Sequence, residues 1–272
     1  MSYSNFKPAI WSKFIQLEAE RKCRLVEDCW TQFEGEAKQG GTVNIIGLSG
    51  ITVGDYNQTT GIGTPQVQDG TKIPLEINVA KFFNFMVDDI DRYQSVNGLM
   101  EACMTDAARK MAKARDTYIA NLAKDATHKS TSLAVADANE AKAAVDAALL
   151  VLRKNDVDLE DDVTITLSPF FYQLFRDRLT ELKTNNDDLI KKGVVGMYDN
   201  CKVKMSNNLY NDGTDDYMLV RSKRAIAFAG GIDETEAYRP EGYFADAVKG
   251  LNVFGGKIIK PNELYVIKAH KA

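Results

Sequence analysis

The stretch Gly40-Gly-Thr-Val-Asn-Ile-Ile-Gly-Leu-Ser-Gly-Ile-Thr-Val-Gly-Asp-Tyr56 is the most unusual part of this 272-residue chain. Residues 35–70 hold nine of the 19 glycines, and Asp55 is the only charged residue between positions 40 and 68. The runs Thr-Val-Asn-Ile-Ile and Ile-Thr-Val predict short β-strands, because β-branched side chains fit an extended backbone and glycine interrupts each run. A phosphate loop does not fit, since the sequence has no Walker A pattern and Gly61-Ile-Gly63 lacks the third glycine of a dinucleotide loop.

The segment after the glycines predicts a returning strand. Residues 72–79 (Lys-Ile-Pro-Leu-Glu-Ile-Asn-Val) alternate apolar and polar side chains, as a half-buried strand does. Together the two parts predict a hairpin with a flexible tip, about 33 Å long if each strand has about 10 residues. An isolated two-stranded ribbon is marginally stable in water. We therefore expect the hairpin to lie against something else, with a neighbouring subunit as the obvious candidate.

An apolar strand and a long helix come next. Residues 81–87 (Lys-Phe-Phe-Asn-Phe-Met-Val) predict the strand, and residues 94–124 carry an apolar stripe at steps of three and four. A helix of about 30 residues would be a rod about 45 Å long.

Three acidic residues, Asp88, Asp89 and Asp91, separate that strand from the helix. Their carboxylates suit Mg²⁺, which leaves a metal-dependent enzyme as an alternative. Acidic side chains also cap free N–H groups at a helix start and face the positive end of its dipole, and we favour this capping role.

The N-terminal segment predicts an amphipathic helix over residues 7–33, with Pro8 at a plausible first helical position. An ordinary helix packed on the core is one interpretation. The alternative is an arm that packs on a partner, because two tryptophans in a terminal segment are costly to leave in water. The side chains concerned are Ile10, Trp11, Phe14, Leu17 and Trp30.

Composition excludes several classes of protein. No apolar run approaches the roughly 18 to 20 residues of a membrane helix. The four cysteines are scattered without a CxxC pair, which argues against a zinc site or a disulfide framework. Thirty-four basic and 38 acidic residues, a net charge of −4, argue against autonomous nucleic-acid binding. His128 and His270 have no obvious partner, so we expect no histidine chemistry, no cofactor and no metal.

The remainder predicts a compact α/β region, with helices over residues 137–154 and 170–182. Its strands are predicted at 162–167, 203–205, 217–220 and 225–228, and Asp212-Gly213 predicts a hairpin turn rather than a calcium loop. The chain closes with strands at 251–254, 257–260 and 264–267, with a kink at Gly255-Gly256. We expect these last strands to return to the sheet that carries residues 82–87.

In this order the segments resemble the major capsid proteins of tailed bacteriophages, whose fold encapsulin shells and the herpesvirus capsid floor share. The resemblance rests on the order of these sequence motifs: Phe6-Lys-Pro-Ala-Ile-Trp11, Phe33-Glu-Gly-Glu36, Gly41-Thr-Val43, Ile51-Thr-Val-Gly-Asp-Tyr56, Phe83-Asn-Phe-Met-Val-Asp-Asp-Ile-Asp91, followed by a long helix ending near Ala114-Arg-Asp116. It implies an α+β fold with an N-arm (1–36), an extended E-loop (37–75), a peripheral domain with a spine helix (76–127 and 251–272) and an axial domain (128–250).

The resemblance further implies assembly rather than catalysis. We expect hexamers and pentamers of an icosahedral shell around double-stranded DNA, in the virion, assembled in the bacterial cytoplasm. A separate scaffolding protein is expected, because the arm begins almost at Met1, together with a portal, decoration proteins and weak contacts with DNA. An encapsulin-type compartment is the alternative within the fold. In the hairpin the expected interface residues are Val43, Ile45, Ile51, Val53, Tyr56 and Lys72, the last being the nearest candidate for the isopeptide crosslink of some relatives.

Overall fold

The computed structural model describes residues 25–32, 41–48, 51, 53, 56, 58, 70–89, 99–158, 162–181 and 196–272. Within these residues the strands form three sheets, of two, three and eight strands. No helix among them is long and apolar enough to span a membrane.

The two-stranded sheet is the predicted hairpin. Strands β1 (Thr42–Leu48) and β2 (Gly70–Glu76) pair antiparallel from Thr42 opposite Glu76 to Leu48 opposite Gly70. Seven paired residues per strand span about 23 Å. The paired part is therefore shorter than the expected 33 Å.

The three-stranded sheet has the order β11-β12-β3, with β3 at Val79–Asp88, β11 at Ile226–Tyr238 and β12 at Ala245–Ile258. All its pairs are antiparallel, and the register shifts between Gly230 and Asp233 on β11. Helix α1 (Leu99–Asn121) packs on the sheet and continues as a 3₁₀ turn, Leu122–Asp125. The start of the predicted helix, before residue 99, lies outside the described residues.

The eight-stranded sheet runs β4-β13-β10-β6-β8-β7, with β5 beside β13 and β9 beside β10. Its strands are β4 His128–Lys129, β5 Leu133–Val135, β6 Thr164–Leu167, β7 Met197–Tyr198, β8 Cys201–Met205, β9 Tyr210–Asn211, β10 Asp216–Arg221 and β13 Leu264–Lys271.

Two helices cover this sheet, each with a recognisable start. Helix α2 (Ala138–Lys154) begins with a capping box between Asp137 and Glu140, and α3 (Pro169–Glu181) has proline at its first position. Their apolar faces and the sheet form the largest core cluster, which includes Leu149, Ile165, Phe171 and Phe175.

The expected return of the last strands to the sheet with residues 82–87 is half right. Leu251–Phe254 belongs to β12 and pairs with β3, Leu251 opposite Phe82. The prediction for residues 264–267 was wrong, because β13 pairs with β10 in the eight-stranded sheet. Apolar residues of β13 contribute to the core clusters on both of its sides, so it needs cover on two faces, as a central strand does. The predicted strand at 225–228 likewise belongs to β11 of the three-stranded sheet.

The predicted kink at Gly255-Gly256 was also wrong, since β12 continues through both glycines to Ile258. The assignment of residue ranges to four domains stays a prediction.

Candidate assembly surfaces

The hairpin has one face turned to its own chain and one face turned to solvent. Val43 and Ile45 are buried in a small cluster with Leu75, Ile77 and Ala227. Ile46 of β1 lies on the other face of the ribbon and is 68% exposed. Val43 and Ile45 therefore contact this chain, and we remove them from the predicted interface set.

Beyond the paired strands, the three remaining apolar candidates of the hairpin are exposed. Ile51 is 78%, Val53 92% and Tyr56 69% exposed. Lys72 is also exposed and lies opposite Ile46 in the ribbon. We call Ile46, Ile51, Val53 and Tyr56 the hairpin tip residues.

The base of the hairpin is fixed by close backbone contacts. A Cβ at Gly255 of β12 would lie 2.0 Å from the carbonyl oxygen of Glu76, so only glycine permits this approach. Lys257 Nζ donates to the carbonyl oxygen of Pro74 at 3.0 Å, and the N–H of Ile77 donates to that of Gly41 at 2.9 Å. These contacts hold the base on the three-stranded sheet while the tip residues point into solvent.

The outer face of the three-stranded sheet carries a second apolar surface, the sheet patch, made of Phe82, Met86 and Leu251. Phe82 is 79% exposed and lies opposite Leu251, and Met86 follows on the same face. The salt bridge between Lys249 and Glu236, 2.8 Å, borders the patch. An open cavity of about 700 Å³ adjoins it, lined in part by Phe82 and Leu251.

Sequence reasoning missed the sheet patch. In β3, Phe83 and Phe85 pack with apolar residues of α1 and Val87 is buried, so Phe82 and Met86 face outward. The alternation was present as a signal, but five apolar residues among the six from Phe82 to Val87 hide a period of two.

A third exposed apolar surface is the turn between β11 and β12. Tyr243 and Phe244 lie there, and Phe244 is 83% exposed. Arg239 braces the turn by ion pairs with Asp89 and with Asp246, the latter at 3.3 Å.

The predicted N-terminal interface residues Ile10, Trp11, Phe14 and Leu17 lie outside the described residues. Trp30 is half-buried. Its N–H donates to the carbonyl oxygen of Ile226 at 2.9 Å, and its own carbonyl accepts from the N–H of Phe228 at 3.0 Å. The Trp30 backbone is thus docked on β11 of its own chain.

The acidic cluster is not assembled into a metal site in the part of the chain that the structure describes. Asp88 is exposed at the end of β3, Asp89 pairs with Arg239, and Asp91 lies outside the described residues. No group of three or more His, Cys, Asp or Glu side chains within those residues could hold a metal ion.

His270 has a partner that the sequence did not reveal. Its Nδ1 lies 2.7 Å from Oδ1 of the buried Asp215, and the Ser132 hydroxyl donates to the same oxygen at 2.8 Å. A nucleophilic triad needs the serine on the ring nitrogen opposite the carboxylate. Here Ser132 lies 3.4 Å from Nδ1 itself. The cluster therefore holds together the three segments that carry Ser132, Asp215 and His270 and does not activate a nucleophile.

Solved structures with this fold are numerous. One from Mycobacterium phage Che8 superposes with a TM-score of 0.77 at 25% identity, covering 90% of both chains. The capsid of the cyanophage P-SCSP1u gives 0.70 at 14% identity, covering 86% of this chain and 85% of that one. A virus-like particle from Pyrococcus furiosus gives 0.60 at 10% identity, covering 95% and 98%.

Comparison of sequences, in contrast to comparison of structures, gives no match. No protein-family model matches the chain, and no curated protein matches it. The similarity of structure over almost the whole chain, with the hairpin, the long helix and the two larger sheets, shows that this chain has the major capsid fold of tailed bacteriophages and supports a capsid shell function.

Proposed function

We propose that this capsid protein builds hexamers and pentamers of an icosahedral shell that encloses double-stranded DNA, assembled in the cytoplasm of a host bacterium. One observation carries the proposal: a hairpin whose base is fixed on its own chain presents exposed apolar side chains at the other end. A monomer gains nothing from leaving such side chains in water, whereas a neighbouring copy would cover them.

The contact that we propose joins the hairpin tip residues of one copy to the sheet patch of the next. The two surfaces are different parts of the same chain. A contact between unlike surfaces is heterologous, and it closes into a ring when the rotation between copies fits a whole number of subunits. We take that rotation to be one-sixth of a turn in hexamers and one-fifth in pentamers.

Other partners belong to the same proposal. Scaffolding, portal and decoration proteins would contact surfaces that the tip and patch leave open, and the exposed turn with Tyr243 and Phe244 is available for this. The net charge of −4 argues against tight DNA binding and is compatible with contacts that are weak and sequence-independent. Lys72 is the nearest candidate for a crosslink, and we do not assign one.

An encapsulin-type compartment differs from a capsid in its contents rather than in its fold. The similarity to the Pyrococcus furiosus particle keeps this alternative in view. We do not propose the magnesium enzyme, because the Asp89 carboxylate is engaged with Arg239.

The experiment is electron microscopy of the purified protein together with an assay of what its particles protect. We expect rings or closed shells, and nuclease-resistant DNA in particles taken from infected cells. Particles that hold a protein cargo and no DNA would favour the compartment. A chain that stays monomeric at every concentration, with or without a scaffolding partner, would contradict both.

A further inference from the structure

Residues 25–30 cross the junction between α1, the eight-stranded sheet and the three-stranded sheet. Leu25 is completely buried, and charged side chains bind its backbone on both sides. Its N–H donates to Asp116 Oδ1 of α1 at 3.1 Å, and its carbonyl oxygen accepts from Arg221 Nη2 of β10 at 2.7 Å. Asp116 and Arg221 are themselves fully buried.

These contacts are stronger than ordinary backbone hydrogen bonds. A bond to an ionised group is about twice as strong as a neutral one, and a buried charge that loses its partner is destabilising. The two side chains come from positions 91 and 196 residues away from Leu25. Leu25 therefore joins two distant elements through one peptide segment.

Cys29 adds two further hydrogen bonds to those of Leu25. Arg221 Nη1 donates to its Sγ at 3.2 Å, and the thiol donates to the carbonyl oxygen of Leu25 at 3.2 Å. Burial raises the pKa of the Cys29 thiol, and the Arg221 guanidinium, which lowers it, does not cancel this effect. The thiol thus keeps the proton that it donates.

The far end of the segment is fastened separately. Asp28 pairs with Lys204 of β8 at 2.8 Å, while the Trp30 backbone bridges to β11. The segment therefore contacts the eight-stranded sheet through Asp28 and the three-stranded sheet through Trp30.

We propose that residues 25–30 form a strap that fastens α1 and the three-stranded sheet to the eight-stranded sheet. The hydrogen bonds of Asp116 and Arg221 to the Leu25 backbone hold the strap in place, and we call these bonds the lock. The strap opens as a local unit when the lock is broken, without unfolding of the α2–α3 core. The inference concerns a single subunit and holds whether or not the protein assembles.

Two cysteines report on strap and core in the same molecule. Cys29 lies in the strap, and Cys201 is buried in the core of the eight-stranded sheet, where burial raises its pKa to about 11. Alkylation followed by peptide mass spectrometry gives a rate for each thiol. In Arg221→Met we expect Cys29 to react roughly ten- to a hundredfold faster than in wild type, as the loss of a charge-assisted bond implies, with Cys201 unchanged.

Two further variants make the test specific. Asp116→Asn keeps an oxygen acceptor for the Leu25 N–H, so the acceleration should be smaller. Lys204→Met removes a partly exposed ion pair of the strap, and its effect should be less than about fivefold. Should Arg221→Met not fold, the Asp116→Asn variant gives the same comparison of the two thiols.

The proposal fails if Cys29 and Cys201 accelerate together, because the strap would then have no opening of its own. It also fails if Cys29 stays protected in a folded Arg221→Met. Hydrogen exchange of the wild-type protein adds an independent check. The N–H groups of Leu25, Trp30 and Phe228 should share one slow opening, and an unprotected Leu25 would overturn the lock.

Discussion

The eight-stranded sheet and the β1–β2 hairpin satisfy their apolar residues in opposite ways. The sheet is covered by α2 and α3, and its core side chains, such as Phe171 and Phe175, are fully buried within the subunit. The hairpin buries one face at its base and leaves its tip residues in water. Burial of an aliphatic or aromatic side chain contributes about 1.5–3 kcal/mol. The sheet takes this energy from its own chain, whereas we propose that the hairpin tip gains it from another copy.

The largest effect on subunit stability should come from the core of the eight-stranded sheet. Phe171→Ala leaves a cavity in a fully buried position and should cost about 4 kcal/mol of unfolding free energy. Phe82→Ala is the matched control, since the same side chain is 79% exposed there. Urea unfolding measures both. Equal losses at the two positions would break the contrast between core and assembly surface.

A middle effect is expected where the hairpin base meets β12. Gly255→Ala places a methyl group 2.0 Å from the Glu76 carbonyl oxygen, so the backbone must move, at a cost of about 2 kcal/mol. Gly230→Ala on the neighbouring strand is the control, because a Cβ there meets nothing within 4 Å. The same unfolding experiment compares them. If Gly255→Ala were as stable as Gly230→Ala, the base would not be fixed as described.

The smallest effect concerns acid stability at the turn before β13. Burial raises the pKa of the Glu263 carboxyl, but hydrogen bonds from Lys260, at 2.8 Å, and Ser222 outweigh it, so the pKa lies below its ordinary value of 4.5. A carboxyl with a lowered folded-state pKa stabilises the protein above its ordinary value. That contribution is lost as the pH falls through the folded-state pKa.

Glu263→Gln removes this contribution. Its stability should fall below that of wild type near neutral pH, and the difference should shrink as the pH falls below 4.5. The urea concentration at the midpoint of unfolding, measured for wild type and Glu263→Gln over a pH series, tests this difference. A difference that stays constant with pH would show that the carboxylate charge is not what stabilises the turn.

Much of the fold follows from local pattern. The helices predicted over residues 137–154 and 170–182 are found at Ala138–Lys154 and Pro169–Glu181. The alternation in residues 72–79 also matches the burial of its side chains, although β2 ends at Glu76. Placement of β13 could not be predicted in this way, because a strand's partner depends on which faces other elements cover. The capsid fold itself was predicted from the order of many weak sequence signals rather than from one motif.

Which apolar side chains the subunit leaves exposed was harder to predict. Val43 and Ile45 alternate with Asn44 and Ile46, so the pattern gives two faces but does not say which one the subunit covers. Tertiary contact decides that, through Ala227 and Ala229 of a strand far along the chain. The lock on Leu25 and the pair of His270 with Asp215 were out of reach for the same reason, since charged partners at such separations leave no periodic trace.

The most direct test of the account compares wild type with the triple variant Ile51→Ser, Val53→Ser and Tyr56→Ser in sedimentation velocity, with urea unfolding of the same samples. All three side chains are exposed, so the unfolding free energy should change by less than about 0.5 kcal/mol. We expect rings or shells from wild type and folded, unassembled subunits from the variant. Shells of normal size from the variant would contradict the claim that the hairpin tip joins one copy to the next.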